Sequence, residues 1–330
     1  MKVLASLLVV LLIGGMAYVG GGKDPSRVLL GVALPYAAFA TFLVGIVCRV
    51  LKWASSPVPF RIPTTCGQQK SLAWIRSNPV ESPAGKWGAL ARVAMEVLLF
   101  RSLFRNSRAK LEQGPRLVYS ENKYLWLGAI VFHWSLLVVL LRHLRFFADP
   151  VPGFVLALQK LDGFFQLGAP PLFISDVLIV AALLYLLQRR FLDSPVRYVS
   201  QFTDYFALFL LLGVATSGLV MRHFAKVDLQ GVKQLAIGLA VFSPAIPSGV
   251  GPWFLVHFTL VSVLLAYFPF SKLVHMGGIF LSPTRNLAND SRMRRHVNPW
   301  DAPVKVHTYE EWEAEFRDKI KAAGLPLEAD

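Results

Sequence analysis

Six long apolar runs, separated by polar and mostly basic stretches, set the pattern of the chain. They occupy approximately residues 3–20, 28–50, 124–141, 172–187, 202–221 and 253–273, the fourth being the shortest. Hydrocarbon offers a backbone no alternative hydrogen-bond partner, so a spanning segment must be a helix of about 20 mostly apolar residues. The pattern therefore predicts an all-α integral membrane protein with about six transmembrane helices. The first run begins Met1-Lys2 and lacks small residues at a cleavage position before Lys23. It is expected to remain as an anchor rather than to be removed as a signal peptide.

Composition narrows the class. The 330 residues are 55% hydrophobic and 16% charged, against about 25% charged in a soluble domain, which excludes a soluble enzyme. Lys and Arg number 34 against 20 Asp and Glu, a formal charge of +14. In so apolar a chain that excess points to loops held against the anionic head groups of a bilayer, with no nucleic acid partner expected. Of the 34 basic residues, 26 fall on one side of the runs. Lys and Arg are retained in the cytoplasm, so a multi-pass protein of the cell membrane with both termini cytoplasmic is expected. Cys48 and Cys66 form neither a C-x-x-C pair nor a c-type haem attachment sequence, and both read as ordinary thiols.

The polar stretches divide the chain into an N-terminal pair of spans at 1–51, a basic cytoplasmic loop at 52–123, a membrane domain at 124–275 and a cytoplasmic tail at 276–330. The loop opens with Ser55-Ser56-Pro57-Val58-Pro59-Phe60-Arg61-Ile62-Pro63, too rich in proline for a helix and too long for a simple connector. It is expected to lie on a partner. Residues 86–104 place Trp87, Leu90, Ala94 and Leu98 broadly on one side, with Arg92 and Arg105 elsewhere. That predicts a helix at the membrane surface, or a partly buried helix of a small subdomain. In the tail, Thr308 and Glu311 have the spacing of a capping box, and Gly324 and Pro326 mark a stop, predicting a helix over 309–323. Its stripe of Trp312, Phe316 and Ile320 suits docking on another protein, the plainer reading being a solvated helix.

Ionisable side chains at membrane depth are costly, so a histidine inside a span is a functional candidate by default. Of the seven histidines, His296 and His307 lie in the polar tail and His223 ends the fifth run beside Arg222. Surface roles are expected for these three. His133 and His143 stand on the third run, His257 and His275 on the sixth. Neutral imidazole binds haem iron, and two histidines on different helices can close both axial positions of a b-type haem. At about 1.5 Å per residue, the step from His133 to His143 covers about 15 Å and that from His257 to His275 about 27 Å. On antiparallel helices His143 then faces His257 near the outer surface, and His133 faces His275 near the inner one. The steps differ by about 12 Å, which Pro269 is expected to absorb by kinking the sixth helix or releasing its last turns. Spacing alone leaves two other readings open, satisfied core histidines and a proton relay.

The segments Val256-His257-Phe258-Thr259-Leu260 and Tyr267-Phe268-Pro269-Phe270-Ser271-Lys272-Leu273-Val274-His275 resemble the last haem-bearing helix of the membrane gamma subunit of respiratory nitrate reductase. The ten- and eighteen-residue histidine intervals are similar to that family's as well. The resemblance covers roughly residues 124–275. It implies a four-helix haem-binding bundle in which His133 and His275 ligate the iron of an inner b haem, and His143 and His257 that of an outer one. The gamma subunit is shorter and lacks the N-terminal spans and the proline-rich loop. Residues 56–72, from Ser56-Pro57-Val58-Pro59 through Thr64-Thr65-Cys66-Gly67 to Leu72, resemble instead the related M-type membrane subunit of the Dsr complex, the quinone-linked assembly of dissimilatory sulfur metabolism. This second resemblance implies a cytoplasmic iron–sulfur partner of the heterodisulfide reductase type, within a Dsr-like membrane complex.

A quinol carries two electrons and two protons whereas each haem accepts one electron, so a site beside one haem must split the pair and provide a proton exit. The outer surface is the expected place. Arg142, Arg145 and Asp176 lie near it. Asp176 is a candidate to take or relay a proton, and the arginines to pair with haem propionates or the quinone. The plainer readings are interfacial positioning for the arginines and a helix cap for Asp176. The expected function is a menaquinol oxidoreductase subunit, a dihaem cytochrome b that passes electrons inward to its cytoplasmic partner. Two other classes remain: a histidine-relay transporter, for which no persuasive internal repeat is present, and a haem-free anchor.

Overall fold

In a computed structural model the described residues are 1–57, 68–112, 114, 116–163, 170–282, 285–293 and 303–328. Most of the proline-rich stretch, with Cys66, and the segment carrying Arg294, Arg295 and His296 lie outside the described residues.

The apolar runs become helices, and polar residues set where each one stops. The order is α1 (Lys2–Gly20), α2 (Asp24–Val28), a π-helical turn (Leu29–Ala33) and α3 (Leu34–Ala54), then on the far side of the loop α4 (Lys86–Leu99) and α5 (Arg101–Phe104). A hairpin of β1 (Ser107–Glu112) and β2 (Arg116–Glu121) precedes α6 (Lys123–His143). After it come α7 (Gly153–Asp162), α8 (Ile174–Leu192), α9 (Ser194–Val199), α10 (Phe202–His223), α11 (Leu229–Ala240) and α12 (Pro252–Tyr267). The tail holds α13 (His275–Leu281) and α14 (Tyr309–Ala322).

Five helical segments are long and apolar enough to cross a membrane: Lys2–Gly20, Asp24–Ala54, Lys123–Phe146, Phe202–His223 and Pro252–Phe270. The fourth expected span, α8, also forms, but Asp176 near its start and Arg189 and Arg190 near its end make it the least apolar. The fold is that of a multi-pass helical membrane protein.

Side-chain bonds identify which ends lie together. Lys2 Nζ donates to the Ser200 carbonyl at 3.0 Å, Arg190 to Ser200 Oγ at 2.8 Å, and Lys272 Nζ to Asp204 Oδ1 at 2.8 Å. The start of α1, the end of α8, the start of α10 and the segment after α12 therefore share one end of the bundle, which is the basic end. At the other end Tyr18 meets Trp253 edge-on, with ring centres 5.4 Å apart.

Helix packing runs α6 to α8 to α10 to α12, with α1 seated against α10 and α12 and with α3 against α12. Phe132, Leu183, Tyr205 and Leu208 join α6, α8 and α10; Val10, Leu210, Val256 and Leu260 join α1, α10 and α12. In lipid such contacts act through packing rather than release of water. The circuit is open on one side, because α6, which carries His133 and His143, and α12, which carries His257, do not pack closely against each other.

Pro269 ends the last span. Its ring cannot continue the backbone ladder, so α12 gives way to a 3-10 turn at Phe268–Phe270, an extended Ser271 and a second 3-10 turn at Lys272–Val274. A backbone carbonyl freed in a membrane must find another donor. Arg49 of α3 supplies one, donating from Nε and Nη2 to the Pro269 carbonyl at 3.1 and 2.9 Å. Gly45 makes this approach possible, since a Cβ there would stand 2.7 Å from the proline ring.

At the basic end, α4 stops at Phe100, whose φ of 50° turns the chain into α5. The indole nitrogens of Trp126 and Trp134 donate to the carbonyls of Leu99 and Leu98 at 2.7 and 3.1 Å, fixing α4 to α6. The loop and the tail meet there: Asn289 N donates to the Pro83 carbonyl and Asn289 Nδ2 to Ser82 Oγ, while Arg285 pairs with Glu96 at 3.1 Å. The tail helix α14 has the expected capping box of Thr308 and Glu311.

Candidate functional site

His133, His143, His257 and His275 meet in two pairs across the open side of the bundle, His275 lying just beyond the end of the last span. The ring centres of His143 and His257 are 6.4 Å apart and their planes 17° from parallel. Those of His133 and His275 are 5.9 Å apart and cross at 84°. The break at Pro269 brings His275 back to the level of His133. Edge contacts from Phe100 and Phe132, at 4.9 and 5.0 Å, wall the His133 ring.

Each imidazole is held through Nδ1. His133 Nδ1 lies 2.7 Å from the Ala129 carbonyl, His143 Nδ1 2.7 Å from that of Val139, and His275 Nδ1 2.8 Å from that of Lys272. His257 instead reaches α10, with Nδ1 3.1 Å from the Val214 carbonyl and 3.0 Å from Ser217 Oγ. A carbonyl only accepts, so each Nδ1 carries the proton and each Nε2 keeps the lone pair that binds a metal.

These features fit haem. Two imidazoles gripping one metal ion at about 2 Å from each nitrogen have ring centres about 6 Å apart, the spacing of both pairs. Among the described residues no group of three or more His, Cys, Asp or Glu is placed to hold a metal ion. Two protein ligands per site suit an iron whose equatorial positions come from a macrocycle. Between the pairs α6 and α12 do not pack closely against each other.

Beside the His143–His257 pair lies a buried polar cluster. Arg142, the residue before His143, pairs through Nη1 with Asp162 at 3.0 Å and through Nη2 with Asp176 at 2.6 Å. Asp162 also accepts from the Ser175 amide at 2.8 Å and hydroxyl at 2.7 Å. Phe173 is sandwiched between the guanidinium groups of Arg142 and Arg222, whose carbons stand 3.8 and 3.9 Å from the ring centre. Arg222 donates to the Pro171 carbonyl at 2.9 Å. The cluster ties α6, α7, α8 and α10 together at the end of the bundle opposite the basic one. Asp176 thus pairs with Arg142, while no side-chain cap bond starts α8. Arg145 points elsewhere, to Gln159 Oε1 at 2.9 Å.

Of the three histidines expected at the surface, His307 is in the tail near Glu311 and Glu315. His223 differs: it is half-buried, and its Nε2 is shielded without a hydrogen-bond partner. Asp162, Phe173, Arg222 and Ser217 were not legible as site residues. Asp162 is the one with a sequence signal, an acid closing an otherwise apolar segment.

The sequence profile described as nitrate reductase gamma subunit matches residues 86–295. An Hdr-like menaquinol oxidoreductase cytochrome b-like subunit of Archaeoglobus fulgidus is 47% identical over 83% of this chain and 84% of its own. The protein of the same description in Archaeoglobus profundus is 46% identical over 82% of both chains. The nitrate reductase gamma chain of Bacillus subtilis is 25% identical over 58% of this chain and 89% of its own.

Proposed function

The chain belongs to the nitrate reductase gamma subunit family, and on that premise we propose that it is the dihaem cytochrome b subunit of a quinol-oxidising membrane complex. The observation that carries the proposal is the two facing imidazole couples, one between α6 and α12 and the other between α6 and the start of α13, each ring tied through Nδ1 with Nε2 left for iron. His133 and His275 hold the inner b haem, His143 and His257 the outer one. Bound there, the two haems supply one-electron carriers at two depths of the bilayer.

The residues of the chain do the rest. Quinol oxidation belongs to the outer end, where Asp176 takes or relays a proton and Arg142 keeps that carboxylate oriented. Arg145 lies on the same surface and contributes positive charge beside the quinone or a propionate. Protons are released outside, and electrons leave at the basic end. The complex is of the Hdr-like menaquinol oxidoreductase type named for the Archaeoglobus relatives, so menaquinol is the donor and a cytoplasmic iron–sulfur subunit of the heterodisulfide reductase type the acceptor. The resemblance of residues 56–72 to the M-type subunit of the Dsr complex supports a role in sulfur metabolism. With 26 of 34 basic residues on the side shared by Lys2, Lys272 and the tail, that side is cytoplasmic. The test is the absorption spectrum of the purified subunit on addition of a menaquinol analogue: reduction should bring up b-type bands, and a protein without them is not a cytochrome.

A further inference from the structure

We infer that Ser217 of α10 is the positioning residue of the outer histidine pair, fixing the tautomer and orientation of His257 from a helix that carries none of the four paired histidines. The inference rests on the haem-binding reading above and adds to it a residue on which that reading is silent.

Three of the paired histidines are oriented by a carbonyl of their own chain segment three or four residues back. His257 alone is oriented from a neighbouring helix. The hydrogen bonds around it can be assigned without ambiguity. Ser217 is buried, and its hydroxyl has a single proton. That proton goes to the Val214 carbonyl, 3.0 Å away, which can only accept. Toward His257 Nδ1, at 3.0 Å, Ser217 Oγ therefore presents a lone pair. Nδ1 must then carry a hydrogen, shared between Ser217 Oγ and the Val214 carbonyl at 3.1 Å. The opposite nitrogen is left bare, the form that ligates iron.

Gly218 completes the seat. It presents no side chain, and a Cβ at that position would already lie 3.5 Å from His257 Cε1. The imidazole thus meets α10 at a small hydroxyl residue followed by glycine, where a Cβ would make an ordinary contact. One further turn along, the same helix contributes Arg222 to the Phe173 sandwich, so α10 positions the ligand and the polar cluster together.

An acceptor on the N–H of a ligating imidazole strengthens its donation and stabilises the more oxidised iron. Removing the Ser217 acceptor, so that only the Val214 carbonyl remains, should raise the reduction potential of one haem and leave the other unchanged. The experiment is a redox titration, followed by absorption, of the haem-loaded wild type and of Ser217→Ala and Ser217→Thr, with the outer transition identified by its loss in His143→Ala. The expected result is an upward shift of the outer transition in Ser217→Ala, or selective loss of that haem, with Ser217→Thr restoring the wild-type value. Ser217→Cys, similar in size and a far weaker acceptor, gives the same reading where alanine impairs folding. Unmoved potentials, equal shifts in both transitions, or a threonine variant behaving like alanine overturn the role of Ser217 while leaving the haems in place. A wild type without b-type bands overturns the functional reading itself, and the role of Ser217 with it.

Discussion

The rings of His133 and His275 stand 5.9 Å apart although His275 lies eighteen residues beyond His257 and only ten separate His133 from His143. A straight helix would carry His275 about 12 Å past its partner. The interruption from Phe268 to Val274 removes that excess, and Arg49 makes it tolerable by binding the Pro269 carbonyl.

Pro269→Ala should therefore act on one site only. With the ring gone, α12 can propagate through the break and carry His275 away from His133. Haem content measured on the purified variant is expected to fall by one of the two groups, with the outer spectrum retained. Retention of both would show that the proline break does not set the inner pair.

The Arg142 cluster separates stability from proton handling. Asp162 and Arg142 are both buried, and removing one partner of a buried pair costs about 3–5 kcal/mol. Asp162→Asn should lower resistance to chemical denaturation in detergent by about that amount. Asp176→Asn is expected to slow quinol oxidation by about 10²-fold at neutral pH while haem content stays intact. An unchanged turnover would remove Asp176 from the proton path.

A third expectation concerns pH at the hairpin of β1 and β2. The Asp193 carboxyl is held below the usual carboxylate range, chiefly by the hydrogen bond from Arg108, with the charges of Arg108 and Arg189 adding to it against the effect of burial. A lowered folded value means that the bond's contribution is complete above about pH 4 and fades as pH falls through that lower value. A spin label at Ser120, on the outer strand of the hairpin, should gain mobility on acidification below that range. In Asp193→Asn it should be mobile throughout.

Much of this was legible in the sequence because the bilayer imposes few solutions. Uninterrupted apolar runs can only become helices, and imidazoles inside them draw attention because they are costly there. The proline six residues before His275 was likewise readable, since its effect on a helix is local. The hairpin at 107–121 was not: its strands are short, polar and basic, and what anchors them is Asp193, distant in sequence. Asp162 and Arg222 acquire meaning only when α7 and α10 are brought to the end of α6. Ser217 looks like any serine satisfied by its own helix, and its second bond, to His257, depends on how two helices pack.

The most direct test is the haem content of the purified wild type against His257→Ala and His275→Ala, by reduced-minus-oxidised absorption. Two b-type haems in the wild type, with the outer one lost in the first variant and the inner one in the second, is the result expected. A wild type without b-type bands, or ligand variants that keep both haems, would contradict the account.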